Sequence, residues 1–265
     1  MKSLKLKKVY LFFSSLIIFL MHMPFVFSKS KNISHIFSTG KNVPATAIAD
    51  TSIDVKENIL VSGIYDSLKL GSIGLGRKVF DYAMKGFNFI KEKGFIDNAN
   101  IISIVDFSKP SSEKRLFVID LKHYKVLFNT YVAHGIESGK EFAEEFSNTP
   151  SSNKSSLGFY ETLGTYMGGN GYSLRLQGLE SGINDNANRR DIVIHGAEYV
   201  NEGLIHSQGY IGRSWGCPAV PRRLHKPIID KIKNGTCLFI YSPDKKYLSR
   251  SRILNRKESP TFALN

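Results

Sequence analysis

From about Ile53 to Lys93 the apolar residues recur at helical spacing, with Val79, Tyr82, Ala83, Phe87 and Ile90 on one stripe and glycines at 63, 71, 74, 76 and 86 interrupting it. The pattern predicts two short helices and a boundary near Gly94. Beyond that point the periodicity changes to two. Ile101 to Phe107, Arg115 to Leu121, Lys125 to His134, Ser173 to Gln177, Asp191 to His195 and Thr236 to Tyr241 read as short strands separated by Gly, Asn, Ser and Pro clusters. Lys122 and His123 mark a hairpin turn. Many short strands with turn signals imply a mainly β sandwich or barrel-like domain. One helix is expected inside it, over Pro221 to Lys233, where Leu224, Ile228, Ile229 and Ile232 share a face and Asn234-Gly235 ends the run.

The amino terminus has a different pattern. Lys2, Lys5, Lys7 and Lys8 precede an apolar stretch from Val9 to Leu20, and Val26 and Ser28 suit the small-residue positions before a cleavage site. Residues 1–28 therefore read as a secretory signal and 29–98 as a linker plus the helical segment. Residues 99–242 form the main domain. Residues 243–265, with Lys245, Lys246, Arg250, Arg252, Arg256 and Lys257 against Asp244 and Glu258, read as a solvated and partly disordered basic tail. The polar run from Gly135 to Leu157 is long enough for a loop that rims a groove.

Charge narrows the partners. Removing 1–28 takes away four lysines and no acid, so the formal charge falls from +13 to +9. A basic exported protein suits an anionic partner, such as peptidoglycan carboxylates or acidic membrane headgroups, with no stable membrane insertion once the signal is gone. Nucleic acid is a poor fit, because no interleaved basic and aromatic motif is present. The expected location is the periplasm or cell envelope.

Chemistry concentrates around the chain's two cysteines. Cys237 lies in an apolar β-type run and reads as a small core residue, whereas Cys217 lies among glycines and prolines in Gly212-Arg213-Ser214-Trp215-Gly216-Cys217-Pro218. A disulfide between them is the alternative in an exported protein. A thiol is a nucleophile only as thiolate, which calls for a base and an electropositive setting. His195, at the end of the strand Ile192-Val193-Ile194, is a candidate base whose other ring nitrogen the Gly196 carbonyl can hold. Taken alone, a strand-end histidine is more often a hydrogen-bonded structural residue than a catalytic base. Gly216 lets the backbone approach a substrate carbonyl, and the N–H groups of Gly216 and Cys217 are candidates for an oxyanion site. With Pro218 and Pro221 opening a helix, Cys217 is expected at its positive end.

The order of motifs then adds a resemblance. Ser156-Leu157-Gly158, Ser173-Leu174-Arg175-Leu176, Gly178-Leu179-Glu180, Asn188-Arg189-Arg190, His195-Gly196 and Ser214-Trp215-Gly216-Cys217-Pro218-Ala219 resemble the murein L,D-transpeptidase catalytic-domain family over about residues 100–241. Two positions depart from its main pattern. Trp215 stands where histidine is usual, and neither Arg nor Asn follows Cys217 at the next two positions. The resemblance implies a two-step acyl transfer on peptidoglycan stem peptides, with Cys217 as nucleophile and His195 as base, and no metal or organic cofactor. Water as acceptor would make the enzyme an L,D-carboxypeptidase, and a non-catalytic wall-binding module is the remaining alternative. Arg189, Arg190 and Arg213 are candidate clamps for stem carboxylates. Ser214 is expected to brace the catalytic turn, and Tyr172, Tyr160 and Trp215 are candidates to wall the groove, with burial in the core as the alternative for such aromatics. His134 and His206 read as bystanders.

Overall fold

The computed structural model describes residues 61–256, so the signal-like segment, the polar linker over 29–48 and the start of the helical segment lie outside the described residues. Among those described, no helix is long and apolar enough to cross a membrane. Residues 61–67 are helical, and α1 (Arg77–Glu92) follows with Val79, Phe80, Ala83, Met84, Phe87 and Ile90 buried. This is the stripe that the periodicity predicts. Gly86 lies on that stripe for a reason of space, since a Cβ there would collide with the ring of Phe159. The helix packs on β1 (Ile101–Asp106) and β8 (Cys237–Tyr241).

Eight strands form one mixed sheet in the order β3-β2-β1-β8-β4-β5-β6-β7. The remaining strands are β2 (Leu116–Asp120), β3 (Lys125–Thr130), β4 (Gly158–Gly168), β5 (Gly171–Gly178), β6 (Val193–Ala197) and β7 (Ala219–Pro221). β1 and β8 are buried at every position and pair in parallel, as strands covered on both faces do. Just past β3, Ala133 bridges to Ala219 of β7, so the two edges of the sheet meet and the sheet is nearly closed. The barrel-like, mainly β architecture expected from strand spacing is therefore present. α2 (Glu202–Gln208) caps on Asn201, whose side chain accepts from Leu204 N. α3 (His225–Ile232) packs its buried Ile228, Ile229 and Ile232 against β5 and β6.

Two expectations need correction. The helix after Cys217 begins at His225, because Ala219–Pro221 is a strand paired in parallel with β6 and Pro221 closes it. Cys217 is therefore followed by a strand and does not sit at the amino terminus of that helix. The described part of the basic tail is also not a solvated end. α4 (Lys245–Arg250) buries Tyr247, and Ser251, Ile253 and Leu254 are buried after it. Tyr247 and Ser251 both donate from their hydroxyls to the buried carboxylate of Glu180.

Candidate active site

His195 sits in β6 between Ser173 of β5 and Ala219 of β7. Its Nδ1 lies 3.2 Å from the Gly196 carbonyl, which can only accept. The ring therefore carries its proton on Nδ1 and leaves Nε2 free to take one. Burial pushes the imidazole below its ordinary pKa, the Gly196 carbonyl opposes that, and the Arg222 guanidinium and the nearby His225 ring add to it. Gly196 faces α3, where a Cβ would stand 2.7 Å from His225 Cγ.

Cys217 is held in a turn braced on all sides. Gly216 has φ +118°, and a Cβ there would be 2.8 Å from the Lys154 carbonyl. Only glycine fits both demands. Ser214 Oγ donates to the Cys217 carbonyl at 2.6 Å and accepts from Gly216 N at 3.1 Å, as expected for a brace. The Ser214 backbone donates to His134 O at 2.9 Å and accepts from Ile136 N at 2.7 Å. Ser155 Oγ donates to the Gly216 carbonyl at 3.1 Å and accepts from Gly135 N at 3.0 Å, so the long 135–157 loop frames the turn.

The thiol is partly buried, and its hydrogen bonds run to the backbone: Val193 N donates to Sγ at 3.5 Å, and Sγ donates to Asp191 O at 3.6 Å. No hydrogen bond joins Sγ to His195 among the described residues. Ala219, two residues after Cys217, pairs with His195, and the Cys217 sulfur itself reaches the N–H of Val193, two residues before His195 in β6. Burial raises the thiol pKa, while the Val193 N–H and the Arg190 cation lower it. The two cysteines do not pair, and Cys237 is buried in β8. Of the two N–H groups expected to form an oxyanion site, that of Gly216 is engaged by Ser214 Oγ.

The candidate substrate residues part company. Arg190 donates to Ser147 O, Ser156 Oγ, Ser152 Oγ and Lys154 O at 2.6–3.1 Å, so it clamps the loop and is not free for a ligand. Arg213 likewise donates to Gly139 O at 3.0 Å. Arg189 is exposed and bonds Asn186 Oδ1 at 2.8 Å. Tyr172 is not a groove wall: Ser173 shares its face with His195, and alternation turns Tyr172 to the other face, where its hydroxyl donates to Asp230 of α3 at 2.8 Å. Tyr160 is fully buried, whereas Trp215 stands beside the thiol turn and is 79% exposed.

Sequence reasoning passed over one pair beneath the turn. Fully buried Arg115 places Nη2 2.7 Å from His134 Nδ1, and His134 Nε2 lies 3.3 Å from Gly139 O. Because guanidinium only donates, His134 is neutral with its proton on Nε2, and burial and Arg115 push its pKa down to about 3. Its carbonyl supports Ser214, so it is a brace. An arginine in a strand gives no local sign of such a partner.

With this geometry in view, comparison with known proteins is decisive at the level of family. A family model described as the L,D-transpeptidase catalytic domain matches residues 72–241, well over half of the chain. The chain belongs to the L,D-transpeptidase catalytic domain family. The match takes in α1 as well as the sheet. No curated protein matches the chain significantly. Solved structures similar to it include an L,D-transpeptidase from Mycobacterium smegmatis (13% identity, 54% of this chain and 59% of that one, TM-score 0.33). Others are L,D-transpeptidase 3 from Mycobacterium tuberculosis (11%, 54% and 61%, TM-score 0.32) and an L,D-transpeptidase from Stackebrandtia nassauensis (14%, 63% and 67%, TM-score 0.33). The chain thus spans about three fifths of the mycobacterial structures' length. Likeness at these values carries no weight beside the family match.

Proposed function

We propose that this family member is an exported L,D-transpeptidase that acts on peptidoglycan stem peptides through a Cys217 thioester and joins stems by 3→3 cross-links. The observation that carries the proposal is that the Cys217 sulfur bonds the N–H of Val193, two residues before His195 in β6, while the Gly196 carbonyl sets the imidazole tautomer. Sγ leaves Asp191 O and passes its proton to His195 Nε2 as the S–C bond forms at the L-centre carbonyl of diaminopimelate. Collapse of the tetrahedral adduct breaks the C–N bond, and the terminal D-alanine amine takes the proton from His195. An amine of a second stem then forms the new amide and releases the thiol. The Cys217 N–H serves as donor to the developing oxyanion in this reading, and the Gly216 N–H joins it if Ser214 Oγ turns away. The amino-terminal lysines and the apolar stretch after them support export.

Intact mass after incubation with a carbapenem tests the nucleophile. The wild-type chain gains one drug mass by ring-opening acylation, and Cys217→Ala gains none; an adduct that persists in the variant refutes the assignment. Mass spectrometry of muropeptides tests the acceptor. Tetrapeptide stems yield cross-linked dimers, and tripeptides alone would assign the enzyme to hydrolysis.

A further inference from the structure

Four arginines around the candidate site make hydrogen bonds within the protein. Arg190 and Arg213 hold loop carbonyls, Arg115 holds Val132 O, and Arg222 donates to Asn170 O at 3.1 Å. Arg175 differs from them. It is exposed in the middle of β5, while its neighbours Leu174 and Leu176 are buried. Among the described residues its guanidinium has no carboxylate and no hydrogen-bond acceptor; it lies 4.2 Å from the centre of the Tyr166 ring. That ring is itself seated over Gly168, where a Cβ would come within 2.6 Å of it. Stacking on an aromatic face leaves the edge donors of a guanidinium available to a ligand.

The sheet register gives Arg175 its direction. Ser173 pairs with His195 and Arg175 with Val193, so Arg175 projects from the face that carries the imidazole. Val193 is the residue whose N–H bonds the Cys217 sulfur. Arg175 is therefore one strand spacing, about 5 Å at the backbone, from the residue that the thiol bonds. Opposite Arg175, β4 slips register between Thr162 and Thr165, a bulge of the kind that re-aims side chains beside functional sites.

We infer that Arg175, oriented by Tyr166, binds a free carboxylate of the stem peptide whose carbonyl Cys217 attacks. The inference rests on the proposed substrate class and adds the residue that reads it. A stem carries such carboxylates on its γ-linked glutamate and on the distal centre of diaminopimelate, and both offer the bidentate geometry that guanidinium matches.

Binding is measured by calorimetry on Cys217→Ala, which removes turnover, with and without Arg175→Gln. The ligands are the tetrapeptide stem and two analogues, each with one of the two carboxylates converted to amide. Loss of a charge-assisted pair predicts binding weakened about tenfold or more by Arg175→Gln. The analogue amidated at the recognised carboxylate binds as weakly as the variant does and is indifferent to the substitution, which tells the two carboxylates apart. Arg175→Lys restores only part of the affinity, and unchanged thermal unfolding of all variants excludes misfolding as the cause. If the stem binds Cys217→Ala equally well with and without Arg175, the inference is wrong while the substrate class stands. If no stem binds Cys217→Ala at all, the substrate class falls and the inference with it.

Discussion

At the scale of single residues, the candidate nucleophile and base are placed together without being paired. Burial raises the thiol of Cys217 and lowers the imidazole of His195, so both are neutral in the resting molecule. Neutral forms are what these shifts favour, because each charged form would be poorly solvated. Thiolate then appears only as pH climbs above the ordinary thiol value of 9.0. Alkylation of Cys217 by iodoacetamide, followed by mass, is expected to rise steadily with pH through that value. His195→Ala is expected to leave this profile unmoved, since no hydrogen bond joins the two groups before substrate arrives. A rate that has already levelled off at neutral pH would instead reveal a preformed thiolate–imidazolium pair.

At the scale of elements, the site is a strand pair with a loop fastened over its turn, and Arg190 is the fastener. Its four acceptors lie 34–43 residues away in sequence, all within residues 147–156. Arg190→Ala strands these acceptors and removes a cation that helps the thiol ionise. Hydrogen bonds to charged groups contribute about 1.5–3 kcal/mol each and do not add simply, so a stability loss on the order of 3 kcal/mol is expected in urea unfolding. Limited proteolysis is expected to begin in the 147–156 loop. Equal stability and equal resistance to protease would remove Arg190 from this role. The same scale explains two elements that the sequence reading mistook or missed. β7 is three residues long and ends on a proline, a signal that also opens helices. β4 breaks its alternation at the bulge, which hides an 11-residue strand from a period-two search.

At the scale of the whole molecule, the carboxy-terminal segment belongs to the core. Tyr247, Ile253 and Leu254 are buried, and Glu180 accepts from Tyr247, Ser251 and Phe159 N. Ending the chain after Ser242 removes two of these three donors and that apolar cover. Burial of such side chains contributes about 1.5–3 kcal/mol apiece, offset by the entropy of ordering the segment, so a net loss on the order of 3 kcal/mol is expected. A urea midpoint that does not move would show that the docked tail adds nothing. The mainly β class, most strands and the α1 stripe were legible in the sequence, because side-chain alternation and helical periodicity are local properties of the chain; Cys217 and His195 became candidates through the order of separated motifs, which local pattern alone left open. Which arginine is left open to a ligand, which loop braces Gly216, what the thiol bonds and where the tail lies were decided only by tertiary structure. Those outcomes depend on strand register and on returning loops, and they join residues tens of positions apart that carry no local mark of their partners.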